Sequence, residues 1–166
     1  MSAAATYRID PLTEDAIEAT ARCHAACWAE AYTGIVPDYY LAEMTDLPAR
    51  IDRWRARYEA ASGAIYVAQD DTGEVVGLIH AGPPRRDEPA LPSLELYTLY
   101  VRQSAHGSGL AQQLTDLAVG SRPAFLWVYE QNPRARRFYE KNGFSPNGVS
   151  KFDGDTGVPE IQMVRR

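Results

Sequence analysis

Between Leu94 and Val119 the chain changes its hydrophobic period, and two glycines mark the change. Leu94 to Val101 (L-E-L-Y-T-L-Y-V) reads as a strand. From about Gly107 to Val119 a helix follows, with Leu110, Leu114 and Leu117 turned inward. The segment between holds Gly107 and Gly109, and Arg102 is the only charged residue from Leu96 through Thr115. A glycine loop between a strand and a helix lets bare backbone N–H groups approach a phosphate, with the helix dipole adding attraction. Glycine's freedom to turn the chain explains the same loop without any ligand, so the pattern alone leaves both readings open.

The rest of the chain supplies the sheet that such a unit needs. Thr6–Asp10, Ala64–Gln69, Glu74–Ala81 and Ala124–Tyr129 read as strands, the middle two joined as a hairpin by Asp70–Gly73. A closing strand pair is expected after Phe144, with its turn near residues 153–157. A helix runs from Thr13 to Gly34 with Ile17, Ala21, His24, Trp28 and Ala31 on one face. Shorter ones follow over 37–44 and 48–61, the latter turning Ile51, Trp54 and Tyr58 to one side. Asn132 caps a further helix with Pro133 at its first position, and Gly143 ends it. Gly82 to Pro92 carries four prolines and four charges and reads as a surface loop. The order predicts a mixed α/β sheet with helices on both faces, in a single domain over residues 1–166.

Composition excludes several functions. With 17 Lys and Arg against 22 Asp and Glu the net charge is −5, and no basic stripe stands out, which argues against a nucleic-acid partner. The acidic balance mildly favours cationic small molecules. The start M-S-A-A-A-T-Y-R-I-D lacks a signal-peptide core and no later run is long enough to span a membrane, so no membrane partner and a cytoplasmic location are expected. Cys23 and Cys27 supply too few ligands for a metal and are expected as small buried residues. The glycine loop has no lysine for a P-loop and Gln112 where a dinucleotide fingerprint needs its third glycine. Ser108, flanked by glycine on both sides, does not form a nucleophile elbow.

Two stretches together are specific. L-Y-V-R-Q-S-A-H-G-S-G-L-A is followed some twenty residues on by L-W-V-Y-E-Q-N-P-R-A-R-R-F-Y-E-K-N-G-F. In order and spacing they resemble the GCN5-related N-acetyltransferases (GNAT). The first corresponds to that family's Gln/Arg-x-x-Gly-x-Gly/Ala frame, with His106 at the position normally Gln or Arg. The second corresponds to N-x-x-A-x-x-F-Y-x-x-x-G-F through Asn132, Ala135, Phe138, Tyr139, Gly143 and Phe144. The early W-A-E-A-Y-T-G-I-V-P-D-Y-Y-L is similar to a bacterial subgroup of the family, often without an assigned substrate.

The resemblance implies a mainly antiparallel sheet splayed between its fourth and fifth strands, and transfer of an acetyl group from acetyl-CoA, without a metal, to an amine in a ternary complex. It places the cofactor on Leu99, Tyr100 and Val101, on His106, Gly107, Ser108, Gly109, Leu110 and Ala111, and on Asn132 and Tyr139. Glu95, six residues before Val101, is the implied general base, with Tyr97 and Tyr32 in reserve. Tyr139 is the implied donor to the departing thiolate, and Trp28, Tyr32 and Tyr97 are the implied acceptor-pocket residues. Period two puts Glu95, Tyr97, Leu99 and Val101 on one strand face. The acceptor is open between a small molecule and a protein amine, and a homodimer is open too. An acyl-CoA-binding module that no longer transfers is the alternative.

Overall fold

The structure, a computed structural model, describes residues 6–166; residues 1–5, where the N-terminal stretch read for a signal peptide begins, lie outside the described residues. Seven strands form one sheet: β1 (Arg8–Pro11), β2 (Ala64–Gln69), β3 (Val75–Gly82), β4 (Glu95–Val101), β5 (Ala124–Tyr129), β6 (Ser145–Phe152) and β7 (Pro159–Arg165). Their spatial order is β1-β2-β3-β4-β5-β7-β6. Every neighbouring pair is antiparallel except β4 and β5. Helices α1 (Ile17–Tyr32), α2 (Asp38–Met44), α3 (Leu47–Ala60), α4 (Leu110–Ala118) and α5 (Pro133–Lys141) complete the fold. The predicted elements are present, with ends shifted by a few residues; one turn of 3-10 helix over Glu14–Ala16 precedes α1.

The parallel pair determines where the sheet opens. Strands β4 and β5 pair only at Glu95 with Phe125 and Leu96 with Leu126, and the Phe125 amide donates to the Leu94 carbonyl at 3.0 Å. Beyond Leu96 the two strands diverge. The divergence starts at a bulge: His80 faces Thr98 while Ala81 faces Leu96, so Tyr97 is an extra residue on β4. A bulge bends its strand and adds twist.

The bulge also corrects the predicted strand faces. Cross-strand partners share a face, so Leu96 (opposite Ala81), Leu99 (opposite Ile79) and Val101 (opposite Gly77) lie on one side. Glu95, Thr98 and Tyr100 lie on the other, opposite Gly82, His80 and Leu78. Glu95 therefore does not share a face with Leu99 and Val101. The simple alternation is broken by one inserted residue, which reverses the phase of everything before it.

Helices α1 and α3 cover one side, burying Ile17, Ala21 and Trp54 with Val67 and Leu78. Cys23 and Cys27 join that layer as free thiols. Hydrogen bonding with Cys27 and burial push the Cys23 thiol far above its ordinary value. On the other side Leu110 and Leu114 of α4 and Tyr139 of α5 pack with Ile79, Leu126 and Met163. The buried stripe of α4 is centred on Leu114 and Ala118, so Leu117, at its edge, is exposed rather than inward. Tyr58 is likewise largely exposed and Ala31 faces solvent, Tyr32 being the buried residue at the end of α1.

Gly77 lets α4 come close to the sheet: a Cβ there would stand 3.1 Å from Leu110 Cδ2 and 3.2 Å from Leu114 Cδ1. Gly77→Val forces that helix, and the loop before it, away from β3. Overpacking of this kind costs about 1–3 kcal/mol, to be read as a lower midpoint in urea unfolding at unchanged m-value.

Candidate functional site

A cavity of about 980 Å³ occupies the gap between the diverging strands. Its walls are the free edge of β4 from Tyr97 to Val101, the end of β5, the loop before α4, one face of α5, and aromatic residues of α1 and α2. Of the residues singled out in the sequence, Trp28, Tyr32, Tyr97, Leu99, Tyr100, Val101, His106, Gly107, Gly109, Leu110, Ala111, Asn132 and Tyr139 line it. Glu95 and Ser108 do not.

The glycine loop forms one end. Gly107 and Gly109 have φ of +77° and +84°, a region glycine enters without strain. This turns the chain sharply into α4. The amides of Gly107, Gly109, Ala111 and Gln112 donate to no protein acceptor among the described residues. Such free amides at a helix N-terminus form a cradle for an anion. Ser108 turns the other way: its hydroxyl donates to the Ala105 carbonyl at 2.6 Å and accepts from the Leu110 amide at 3.3 Å. His106 holds the loop to the strand, its Nε2 lying 3.0 Å from the Val101 carbonyl oxygen. Glu30 of α1 also reaches this end, where it accepts from the Gln103 amide and the Arg102 guanidinium, each at 2.9 Å. The pairing with Arg102 neutralises a carboxylate that would otherwise repel an anion.

Two side chains project from α5. Asn132 uses its carbonyl oxygen to cap the helix, accepting from the Ala135 amide at 3.2 Å. Tyr139 is buried, and its hydroxyl has no hydrogen-bond partner among the described residues. Burial, with Tyr32 nearby, pushes its pKa well up, so at neutral pH it keeps its proton. Across the gap the Tyr32 and Tyr100 hydroxyls meet at 3.0 Å, and Tyr32 packs edge-on against Trp28 and Tyr129 at 4.5 and 5.1 Å between ring centres. Tyr39 is exposed and donates to the Asp155 carbonyl at 3.0 Å, outside this wall.

Glu95 is buried but not free. One oxygen accepts from Arg85 Nη2 at 2.6 Å and Nε at 3.0 Å, and the other accepts from the Arg85 amide at 2.9 Å. These bonds fasten the proline-rich 82–92 loop to the head of β4. Tyr97 adds to the anchor, its hydroxyl donating to the Pro83 carbonyl and its ring lying under the Arg85 guanidinium.

Two features of the cavity, Glu160 and the pair Arg50 and Arg57, carry no motif and were not visible in the sequence, whereas the sequence places His24 on the apolar face of α1. Glu160 of β7 lines the cavity, and burial raises its pKa despite Lys151 at 3.7 Å. Arg50 and Arg57 of α3 line it too, although the helical pattern there marked only apolar positions. His24 stands with both ring nitrogens facing indole N–H groups, Trp54 at 3.0 Å and Trp28 at 3.1 Å. A neutral imidazole has one acceptor nitrogen, and an imidazolium has none. Burial, then Arg50, Arg57 and Arg53, hold His24 well below its usual range. Among the described residues no cluster of potential metal ligands occurs, and no helix is long and apolar enough to cross a membrane.

His24 makes stability depend on pH in a definite direction. Below about 6.5 the unfolded chain takes up a proton that the folded chain refuses, so stability falls as pH drops toward the depressed folded value. The slope from this one group approaches about 1.4 kcal/mol per pH unit. Urea titrations between pH 7 and 5 should show a shallower slope for His24→Gln than for the wild type.

Residues 61–146 match the family described as "Acetyltransferase (GNAT) domain". The chain is 30% identical to "Uncharacterized N-acetyltransferase YuaI" of Bacillus subtilis over 89% of its own length and 84% of that protein's. It is 28% identical to "Probable N-acetyltransferase Rv2775" of Mycobacterium tuberculosis, covering 77% of this chain and 74% of that one. Its fold is similar to the PaiA N-acetyltransferase of Thermoplasma acidophilum, solved in complex with coenzyme A, at TM-score 0.70 and 18% identity, over 95% of this chain and 98% of that one.

Proposed function

The chain belongs to the GNAT family of N-acetyltransferases, and from that premise we propose that it moves an acetyl group from acetyl-CoA directly to a primary amine while both are bound. The observation that carries this reading is the unpaired stretch of β4 beside the splay, leading straight into four free amides at the start of α4. Those amides at Gly107, Gly109, Ala111 and Gln112 take the pyrophosphate, so little is asked of the His106 side chain. The β4 edge at Leu99–Val101 takes the extended pantetheine arm as a neighbouring strand would, and the amide nitrogen of Asn132 is available to it. The Val101 N–H polarises the thioester carbonyl as the oxyanion develops.

In the transfer the amine nitrogen attacks the thioester carbon, a C–N bond forms and the C–S bond breaks. The thiolate takes the phenolic proton of Tyr139, and the proton shed by the attacking nitrogen returns through water to the Tyr139 phenolate. That proton is held in reserve by the raised pKa of a buried tyrosine with no other partner. The ammonium proton must leave first, because a protonated amine has no lone pair. Glu95, the base suggested by the sequence, is engaged by Arg85 and stands off the cavity. We assign it to anchoring the 82–92 loop, and assign proton removal to Glu160, the half-buried carboxylate that lines the cavity.

Two experiments test these roles. Tyr139→Phe should bind acetyl-CoA with unchanged affinity in calorimetry but release CoA thiol about 10²-fold or more slowly; full turnover at saturating acetyl-CoA would remove Tyr139 from the mechanism. Glu160 acts unprotonated, so kcat/KM for the amine should rise with pH through a limb lying above the ordinary carboxylate range. Glu160→Gln should abolish that limb and keep acetyl-CoA binding, whereas an unchanged profile would return the base to water or a tyrosine.

A further inference from the structure

The cavity wall formed by α3 carries positive charge that the protein itself does not neutralise. Arg50 is almost wholly buried, yet it pairs with no carboxylate among the described residues. Its Nε and Nη2 donate to the Met44 carbonyl at 3.0 and 2.6 Å, leaving Nη1 without a protein acceptor. Arg57 has less: its buried Nη1 donates to nothing, and the guanidinium lies 4.7 Å from the Trp54 ring centre. Both line the cavity. Burial lowers the pKa of both Arg50 and Arg57, and Arg85 lowers that of Arg57 further. The nearby carboxylates are already committed, Glu95 to Arg85 and Glu43 to Arg53.

An uncompensated guanidinium inside a protein is costly unless an anion meets it. The phosphates of CoA are poorly placed to do so. Arg50 and Arg57 share their side of the sheet with Trp28, Trp54 and Tyr100, whereas the free amides of the glycine loop stand at the start of α4, which packs on the opposite side. The carboxylates that line the cavity are Glu30, committed to Arg102, and Glu160 and Asp153 on β7 and the turn before it, and none is within ion-pair distance of Arg50 or Arg57. The cavity is thus cationic on α3 and anionic on the β6–β7 side, with Arg134, Arg137 and Lys141 adding positive charge from α5, the reverse of what the overall charge of −5 suggests for an acceptor.

We infer that the acceptor is a small amine that also carries a carboxylate or phosphonyl group, with Arg57 and Arg50 taking its anionic end. The inference rests on the acetyl-transfer reading above and adds the chemical class of the acceptor. Arg57 is the specificity residue because its side chain lines the cavity and pairs with no carboxylate among the described residues. Arg50 is needed in addition to tie α2 to α3 through Met44.

The test is a matched panel: each common α-amino acid as the free acid, the carboxamide and the decarboxylated amine, together with the corresponding aminoalkyl phosphonates. Turnover is followed by CoA thiol release, and binding to the CoA-loaded protein by the fluorescence of Trp28 and Trp54 beside the two arginines. Free acids or phosphonates should exceed their neutral and cationic counterparts at least tenfold in kcat/KM, and the better of the two anion types identifies the group. Arg57→Gln should erase that preference by raising the KM for the acceptor at unchanged KM for acetyl-CoA, and Arg57→Lys should restore part of it. Equal or better use of the carboxamides or amines, absence of any response to the anionic members, or an effect of Arg57→Gln on acetyl-CoA instead would overturn the inference. If acetyl-CoA fails to bind, the transferase reading falls, while the fluorescence titration of the unloaded protein and of Arg57→Gln with the same anions still decides the anion pocket.

Discussion

Strands β4 and β5 share two residue pairs and then separate, and backbone polar groups beyond the last pair must find partners elsewhere. The bulge at Tyr97 bends β4 at the point where the pairing stops. The gap lies in the middle of a seven-stranded sheet, so it is walled by core on both sides rather than exposed as an edge. One strand then presents a row of groups left unpaired by β5, and its continuation presents a turn of free amides. The cavity, the aromatic wall and the exposed face of α5 all follow from that separation.

Charge within the gap is arranged by burial more than by ion pairs. Tyr139 holds its proton because its surroundings disfavour the phenolate, and Glu160 releases its proton less readily for the same reason. His24 is kept neutral by burial and the arginines of α3. The same low polarity makes Arg50 and Arg57 conspicuous, since a buried cation without a carboxylate partner is costly. Glu95 shows the contrasting arrangement: its carboxylate is buried, and its three hydrogen bonds to Arg85 tie the 82–92 loop to β4.

Much of the fold was legible because local rules and tertiary packing agree. The hairpin of β2 and β3, the Asn132–Pro133 start of α5 and the glycine loop before α4 stand where their residues predict. The faces of β4 were not legible, because a bulge leaves no mark in a strand's composition and one inserted residue reverses the alternation. The alternation therefore put Glu95 on one face with Leu99 and Val101, when it pairs with Arg85 on the other side. Glu160, Arg50 and Arg57 were missed for a different reason: each sits on an ordinary element without a motif. Only the packing of β7 and α3 around the gap shows that they converge on one cavity.

The claim on which all of this depends is that the gap between β4 and β5 is the acetyl-CoA site. Titration of the isotopically labelled protein with CoA, followed by amide chemical shifts, addresses it directly. The largest changes should fall on residues 97–101, on 107–112 and on 132–139, with β1 and β6 unaffected. Changes confined to other parts of the sheet, or none at saturating CoA, would contradict it.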